Sequence, residues 1–425
     1  MDFKVKQSPV NGVMRIPASK SHTIRAAAIA SMAKGASVIH NPLISADTMA
    51  CYEAIKALGA DVSGTDTWTI KGLDGHPALR APGTPIDVKN SGTTLSILTS
   101  IAALSSTPIE LDGDESIRSR PLQPLLTALK GLGAQRAESK LENGSAPIVV
   151  QGPVMGGNTS VDGTSSQFVT SLLLAAPLMR KNCDIRVSKL NEKPYVEMTL
   201  WWLKMMGIEY KQKGGRQFLV PGRQTYFGFE KSIPADFSSA TFPIVAALIA
   251  PGSDVLLKGL DMNDPQGDKA VIALVQEMSG AIEVTKEGIR VKSSELEGME
   301  IDLNAMPDAL PALAVLGCCA TGETEITNVP QARIKETDRI KVMCEELTKM
   351  GANIKELEDG LVIKQSSLHG AHVDGHGDHR VVMALALAGM IAEGETVIST
   401  AESAAVTFPD FQQKMQALGA DIQAG

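Results

Sequence analysis

The chain is poor in rings and in positive charge. Of its 425 residues only 4 % are aromatic (3 Trp, 4 Tyr, 9 Phe), and the formal net charge is −8. So few rings exclude a base-stacking surface. The negative balance excludes the basic face that non-specific binding to nucleic acid or an anionic membrane requires. Long apolar runs are missing too: stretches such as Val381–Ala392 reach about a dozen residues, against the roughly 20 that span a bilayer. The opening Met1–Lys6 carries no signal-peptide core. Five cysteines (Cys51, Cys183, Cys318, Cys319, Cys344) form no C-x-x-C pair. Neither a disulfide framework nor a zinc ribbon is expected, and a cytoplasmic setting is. The common nucleotide P-loop motif is absent, and no G-x-S-x-G surrounds Ser165 or Ser166.

What the chain has in abundance is repetition. A helix-like stretch ending in Leu/Met-Gly-Ala, or nearly so, recurs with its glycine at Gly59, Gly133, Gly207, Gly280, Gly351 and Gly419. Each glycine is expected to take the left-handed position that closes a helix. Polar clusters recur in step, at Ser19, Asn90, Ser165, Asp236, Asp308 and Asp378, each opening a helix rich in Ala, Leu and Ser. Strands follow at Val38, Ile109, Ile185, Val255, Glu325 and Thr396. Each unit therefore reads as helix, strand, helix, strand over about 71 residues. Six such units make two globular halves of three, with a boundary around Gln224–Ala235. The first helices (Ile24–Met32, Leu95–Leu104, Leu172–Leu178, Phe242–Ile249, Ala309–Cys319, Val381–Ile391) are apolar nearly all round, which predicts burial. Second helices such as Arg339–Met350 alternate charged and apolar positions and should lie outside.

The helix openings concentrate the scarce cations. Lys20, Arg25, Arg120, Lys335, Arg339 and Arg380 lie in or beside them. Capping alone explains a Ser, Thr, Asn or Asp at any one start, yet it needs no cation. A cation at the positive end of a helix is unfavourable unless an anion sits between them. Helix starts with Lys and Arg bind phosphate and carboxylate, so small, multiply anionic ligands are expected and no metal or other cofactor is. His369, His372, His376 and His379 cluster in a Gly-rich segment but fit no common zinc spacing. Two carboxylates stand among the cations, Asp308 and Glu336. Asp308 is either a cap or an acid–base group, and Glu336 either an ion-pair member or an acid–base group.

Taken together, Ser19-Lys-Ser with Arg25, Asn90-Ser-Gly-Thr, Arg120-Pro, Ser165-Ser-Gln, Lys193-Pro-Tyr, Pro307-Asp-Ala, Arg333-Ile-Lys-Glu-Thr-Asp-Arg and Asp378-His-Arg resemble the EPSP synthase family of enolpyruvyl transferases over essentially the whole chain. The resemblance implies an α/β fold of two similar domains, each of three βαβαββ repeats around buried parallel helices, an inside-out barrel. It assigns 1–18 plus 235–425 to one domain and 19–234 to the other, with the active site in the cleft between them. The implied reaction moves the enolpyruvyl group of phosphoenolpyruvate (PEP) to the 5-hydroxyl of shikimate 3-phosphate by addition and elimination. No metal or cofactor is implied, and a monomer is the family default. By position, Lys20, Gly92, Arg120, Gln167, Arg339 and Arg380 would bind PEP. Lys20, Ser21, Arg25, Ser165, Ser166, Gln167, Tyr195, Asp308 and Lys335 would hold shikimate 3-phosphate. Asp308 would orient or deprotonate the 5-hydroxyl, Glu336 would deliver and remove protons at the PEP methylene, and Lys20 would assist. Gly92 leaves room in the PEP pocket, so glyphosate, which competes with PEP in this family, is expected to fit.

Three positions depart from the family pattern: Ser96 where Arg is frequent, Val406 where Lys is, and Glu192 where Ser commonly precedes Lys-Pro-Tyr. Glu192 is expected to point away or to pair with a cation such as Arg120 or Lys193. The sister transferase acting on UDP-N-acetylglucosamine is an alternative, but it typically carries a Cys in the loop that here reads Gly113–Pro121 without one. RNA 3′-phosphate cyclisation, built on related repeats, is disfavoured by the shortage of rings and the net charge. A non-catalytic, ligand-binding paralogue would be consistent with Ser96 and Val406.

Overall fold

The computed structural model describes residues 1–81 and 83–425. Contacts group them into two compact units, Met1–Ser19 with Pro234–Gly425, and Lys20–Ile233. Each unit contains three mixed sheets of four strands and three buried helices among its described residues.

In the Lys20–Ile233 unit the buried helices are Lys20–Met32, Gly92–Ala102 and Ser166–Ala175. Small polar residues let them approach closely: the Ser171 hydroxyl donates to the Ser96 carbonyl and lies 2.6 Å from the Ser100 hydroxyl. In the other unit Phe237–Ile249, Leu310–Cys319 and His379–Gly389 each touch the other two. All residues of Phe237–Ile249 are buried. Helices surrounded on every side favour Ala, Leu, Ser and Val, which accounts for the shortage of rings.

Each repeat is richer than helix, strand, helix, strand. In five of the six sheets the final strand is a hairpin, and in all six an edge strand runs parallel to the strand that follows the buried helix. In the second repeat Ile86–Asp87 runs parallel to Ile109–Asp112, which pairs antiparallel with Ile148–Gln151, itself antiparallel to Arg136–Ser139. The same order recurs in all six sheets. Edge strands of two or three residues, such as Ile86–Asp87 and Glu300–Asp302, are too short to show a pattern in sequence.

Three sheets take strands from far along the chain. Phe3–Lys6 lies between Glu395–Ser399 and Asp421–Ala424, antiparallel to both. Asn11–Arg15 runs parallel to Asp254–Lys258, and Glu230–Ser232 parallel to Ala36–His40. The N-terminal segment is thereby part of the unit that also holds Pro234–Gly425.

The recurring helix ends form paired hydrogen bonds. At the first, Gly59 N–H donates to Lys56 O and Ala60 N–H to Ile55 O, and Gly59 has φ 108°. The fourth differs. There Ser279 N–H donates to Gln276 O, Gly280 N–H donates to Val275 O, and Ser279 takes the left-handed position at φ 67°. Gly280 is thus one residue past the position expected of it. It is still constrained, since a Cβ there would lie 2.6 Å from the Val275 carbonyl oxygen. Of the cysteines, Cys51, Cys183 and Cys318 are buried and all five are free. Burial pushes the thiols of Cys51 and Cys183 up, to about 12 and about 11.

The exposed Ser279 carries a left-handed strain of about 1 kcal/mol that glycine lacks. Ser279→Gly is therefore expected to raise the stability of its unit by about 0.5–1 kcal/mol in denaturant unfolding. A loss of stability contradicts this reading of the helix end.

Candidate active site

In the Lys20–Ile233 unit two sets of predicted residues meet on the helix Ser166–Ala175. The first surrounds Arg25, which is 2 % exposed. Its Nε donates to Thr199 Oγ1 at 3.0 Å, Nη1 to the Ser21 carbonyl at 3.0 Å, and Nη2 to the Tyr195 carbonyl at 3.0 Å and Thr170 Oγ1 at 3.4 Å. All these partners are neutral, and among the described residues no carboxylate pairs with Arg25. Burial lowers its pKa to about 10. A cation held this way is short of an anion. Lys20, one turn earlier, pairs with the buried Asp47 at 3.0 Å.

The second set surrounds Gly92. Gln167 Nε2 donates to Thr93 Oγ1 at 3.1 Å, and Ser96 donates to Gln167 Oε1 at 3.2 Å. Arg120 donates to the Ser116 hydroxyl at 2.8 Å. A Cβ on Gly92 would lie 2.7 Å from Arg120 Nη1, so a side chain there displaces the guanidinium. Ser96, where Arg is frequent in the family, orients Gln167 instead.

Glu192 neither points away nor pairs with Lys193, which bonds Glu197 at 3.0 Å. Its buried carboxylate accepts the Ser166 hydroxyl at 2.6 Å and the Ser166 N–H at 3.3 Å. An anion at the N-terminus of a buried helix is electrostatically favoured.

In the other unit the centre is Arg339, 1 % exposed. Its Nε and Nη2 reach Asp378 at 2.8 and 3.2 Å, Nη1 reaches Asp308 at 2.8 Å, and Nη2 reaches Glu336 at 2.6 Å. Burial pulls the Arg339 pKa down, and Asp378, Glu336 and Asp308 more than reverse this. Arg380 Nη2 lies 3.0 Å from the second Asp308 oxygen. Asp308 is therefore not a helix cap: it lies within the turn Pro307–Ala309 and bridges two arginines. Lys335 precedes Glu336 at the end of the turn Pro330–Ile334. Val406 closes the short turn Ala401–Val406.

Asp378, Thr170, Thr199, Thr93 and Asp47 were not singled out from the sequence as site residues. Two of them carried a signal, Asp378 as the opening of a polar cluster and Thr93 within the Asn90-Ser-Gly-Thr motif. Asp378 is fully buried, caps its helix through Arg380 N–H at 2.8 Å and accepts the Thr337 hydroxyl at 3.3 Å. Glu336, Asp378 and His379 offer ligand atoms within 4.8 Å of one another. Arg339 already bridges two of the three, so a guanidinium holds the place a divalent cation would need. His376 instead contacts Glu346 at 2.9 Å, and His369 is exposed.

Buried cations at helix starts, with two carboxylates held on arginine, define an enzyme that handles small anions. Comparison with known proteins makes this specific. The family model of EPSP synthase (3-phosphoshikimate 1-carboxyvinyltransferase) matches residues 4–415. A 3-phosphoshikimate 1-carboxyvinyltransferase of Acetivibrio thermocellus is 51% identical over 423 residues, 99% of each chain. That of Ruminiclostridium cellulolyticum is 47% identical over 424 residues, 100% of each. A solved EPSP synthase from Acinetobacter baumannii superposes with a TM-score of 0.83 at 26% identity, over 99% of each chain. The chain belongs to the EPSP synthase family.

Removing the hub tests its electrostatics. Arg339→Met leaves Asp378 buried without its main cation, at a cost of roughly 3–5 kcal/mol at neutral pH. In the wild type burial raises the Asp378 pKa and Arg339 more than offsets this, so it lies below its ordinary value. That contribution is present above the unfolded pKa near 3.9 and is lost as pH falls through the lowered one. In the variant the carboxyl sits above its unfolded value, so acid relieves the penalty. The melting-temperature gap is therefore expected to narrow from pH 7 to pH 4; a constant gap contradicts the charge argument.

Proposed function

We propose that the chain transfers the enolpyruvyl group of PEP to the 5-hydroxyl of shikimate 3-phosphate, giving 5-enolpyruvylshikimate 3-phosphate and inorganic phosphate in the shikimate pathway. Membership of the EPSP synthase family and two relatives of that printed activity support the reaction. The observation that carries the site assignment is the pair of carboxylates, Asp308 and Glu336, fixed on the buried Arg339.

In this reading the 5-hydroxyl oxygen attacks C2 of PEP while C3 takes up a proton, giving a tetrahedral intermediate. Loss of a methyl proton then expels phosphate by breaking the bond from C2 to the phosphate oxygen. Asp308 orients the hydroxyl and receives its proton, and Glu336 serves C3 in both directions, with Lys20 assisting. Sharing one guanidinium fixes both side chains, which limits the reorganisation each proton transfer requires. Arg25, with Ser21, Ser165, Ser166, Tyr195 and Lys335, receives shikimate 3-phosphate. Gly92, Arg120, Gln167, Arg339 and Arg380 receive PEP. The two domains (1–18 plus 235–425, and 19–234), the cleft between them and the closed inside-out barrel are part of the same reading. No helix of the described residues is long and apolar enough to cross a membrane, which fits small-molecule work in solution.

Phosphate release from PEP with shikimate 3-phosphate is the test. The wild type is expected to release phosphate only with that acceptor present, and release with UDP-N-acetylglucosamine instead overturns the reading. Glu336→Ala is expected to lower kcat by at least 100-fold, within the usual range for a lost acid–base group, while shikimate 3-phosphate still binds. Near-normal turnover removes Glu336 from the mechanism.

A further inference from the structure

The N-terminus of the helix Ser166–Ala175 already holds an anion. Glu192 is 2 % exposed, and its Oε2 accepts both the Ser166 hydroxyl and the Ser166 N–H. The next donor, Gln167 N–H, is turned to Ser165 Oγ at 3.4 Å. The first donors of this helix start, which would otherwise face a ligand phosphate, are thus engaged within the chain. The backbone maintains the arrangement at some cost: Glu192 is a non-glycine residue at φ 53°, in the left-handed region, at the residue before the helix Lys193–Met205. Strain of this kind persists where surrounding structure fixes a residue for a purpose. A carboxylate and a phosphate compete for the same positive helix end and repel one another when both are present.

We infer that Glu192 is a specificity-determining residue for the acceptor: an internal anion on Ser166 that must give way before a dianionic phosphate can occupy that helix start. This rests on the reading that Ser165 and Ser166 receive the acceptor phosphate. Glu192 lowers affinity for the phosphorylated acceptor and leaves PEP affinity alone. It also narrows the preference for shikimate 3-phosphate over unphosphorylated shikimate. A plain capping role makes a different demand, namely that removing the charge weakens the fold and moves neither preference.

Two substitutions test this, Glu192→Gln, which keeps the shape, and Glu192→Ser, which also empties the space. In both, the KM for shikimate 3-phosphate is expected to fall at least fivefold with the KM for PEP unchanged. The ratio of kcat/KM for shikimate 3-phosphate to that for shikimate should rise by a similar factor. Sulfate, followed by quenching of Trp201 and Trp202 fluorescence, provides a probe independent of turnover. Its dissociation constant should fall at least fivefold in both variants. An unchanged or raised KM for shikimate 3-phosphate, or a parallel shift in both KM values, overturns the inference. If the wild type does not turn over shikimate 3-phosphate at all, the proposed reaction fails instead. The sulfate titration then still decides on Glu192, and equal sulfate affinity in wild type and variants overturns it.

Discussion

A buried positive charge must have a partner, and the two units meet that constraint in opposite ways. Arg339 is surrounded by its own carboxylates, Asp378, Asp308 and Glu336, and remains firmly charged. Arg25 is held by a hydroxyl pair and two carbonyls, and burial depresses its pKa to about 10. One unit therefore holds three carboxylates in fixed positions on a guanidinium, and the other holds a cation surrounded by neutral partners. A transfer between two polyanions calls for both.

The repeat supplies these positions with few specialised residues. Six copies of one supersecondary unit provide six helix starts, each with backbone N–H groups that have no partner within the helix. Evolution of a site on such a frame needs only substitutions at the openings. The long-range strands, Phe3–Lys6, Asn11–Arg15 and Glu230–Ser232, complete sheets whose remaining strands lie far along the chain. Cutting off either end of the chain would leave a sheet edge open.

Much of this was legible in the sequence, because it follows from local rules. All-apolar stretches such as Phe242–Ile249 had to be buried, and the strands after them were marked by short recurring segments such as Thr396-Val-Ile. The family motifs added the fold and the reaction. What stayed hidden depends on the third dimension. In the helix Arg339–Lys349, Arg339 and Glu346 lie on the same buried face as Ile340, Met343 and Leu347, yet a charge in an amphipathic pattern reads as solvated. Thr170 and Thr199 carry no chemical signature until Arg25 is placed between them. Ser279 shows that a glycine spacing locates a helix end only to within one residue. Glu192 was recognised as anomalous, but its partner could not be read from spacing, since Ser166 lies 26 residues away on another helix.

The most direct measurement is the melting temperature against sulfate concentration for the wild type and for Arg25→Met. If Arg25 lacks an anion, sulfate should stabilise the wild type, by about 2.7 kcal/mol at a hundredfold excess over its dissociation constant. The variant, in which the buried charge is gone, should show little of that gain. A variant stabilised by sulfate as strongly as the wild type would contradict the claim that the Lys20–Ile233 unit is built around a cation awaiting its partner.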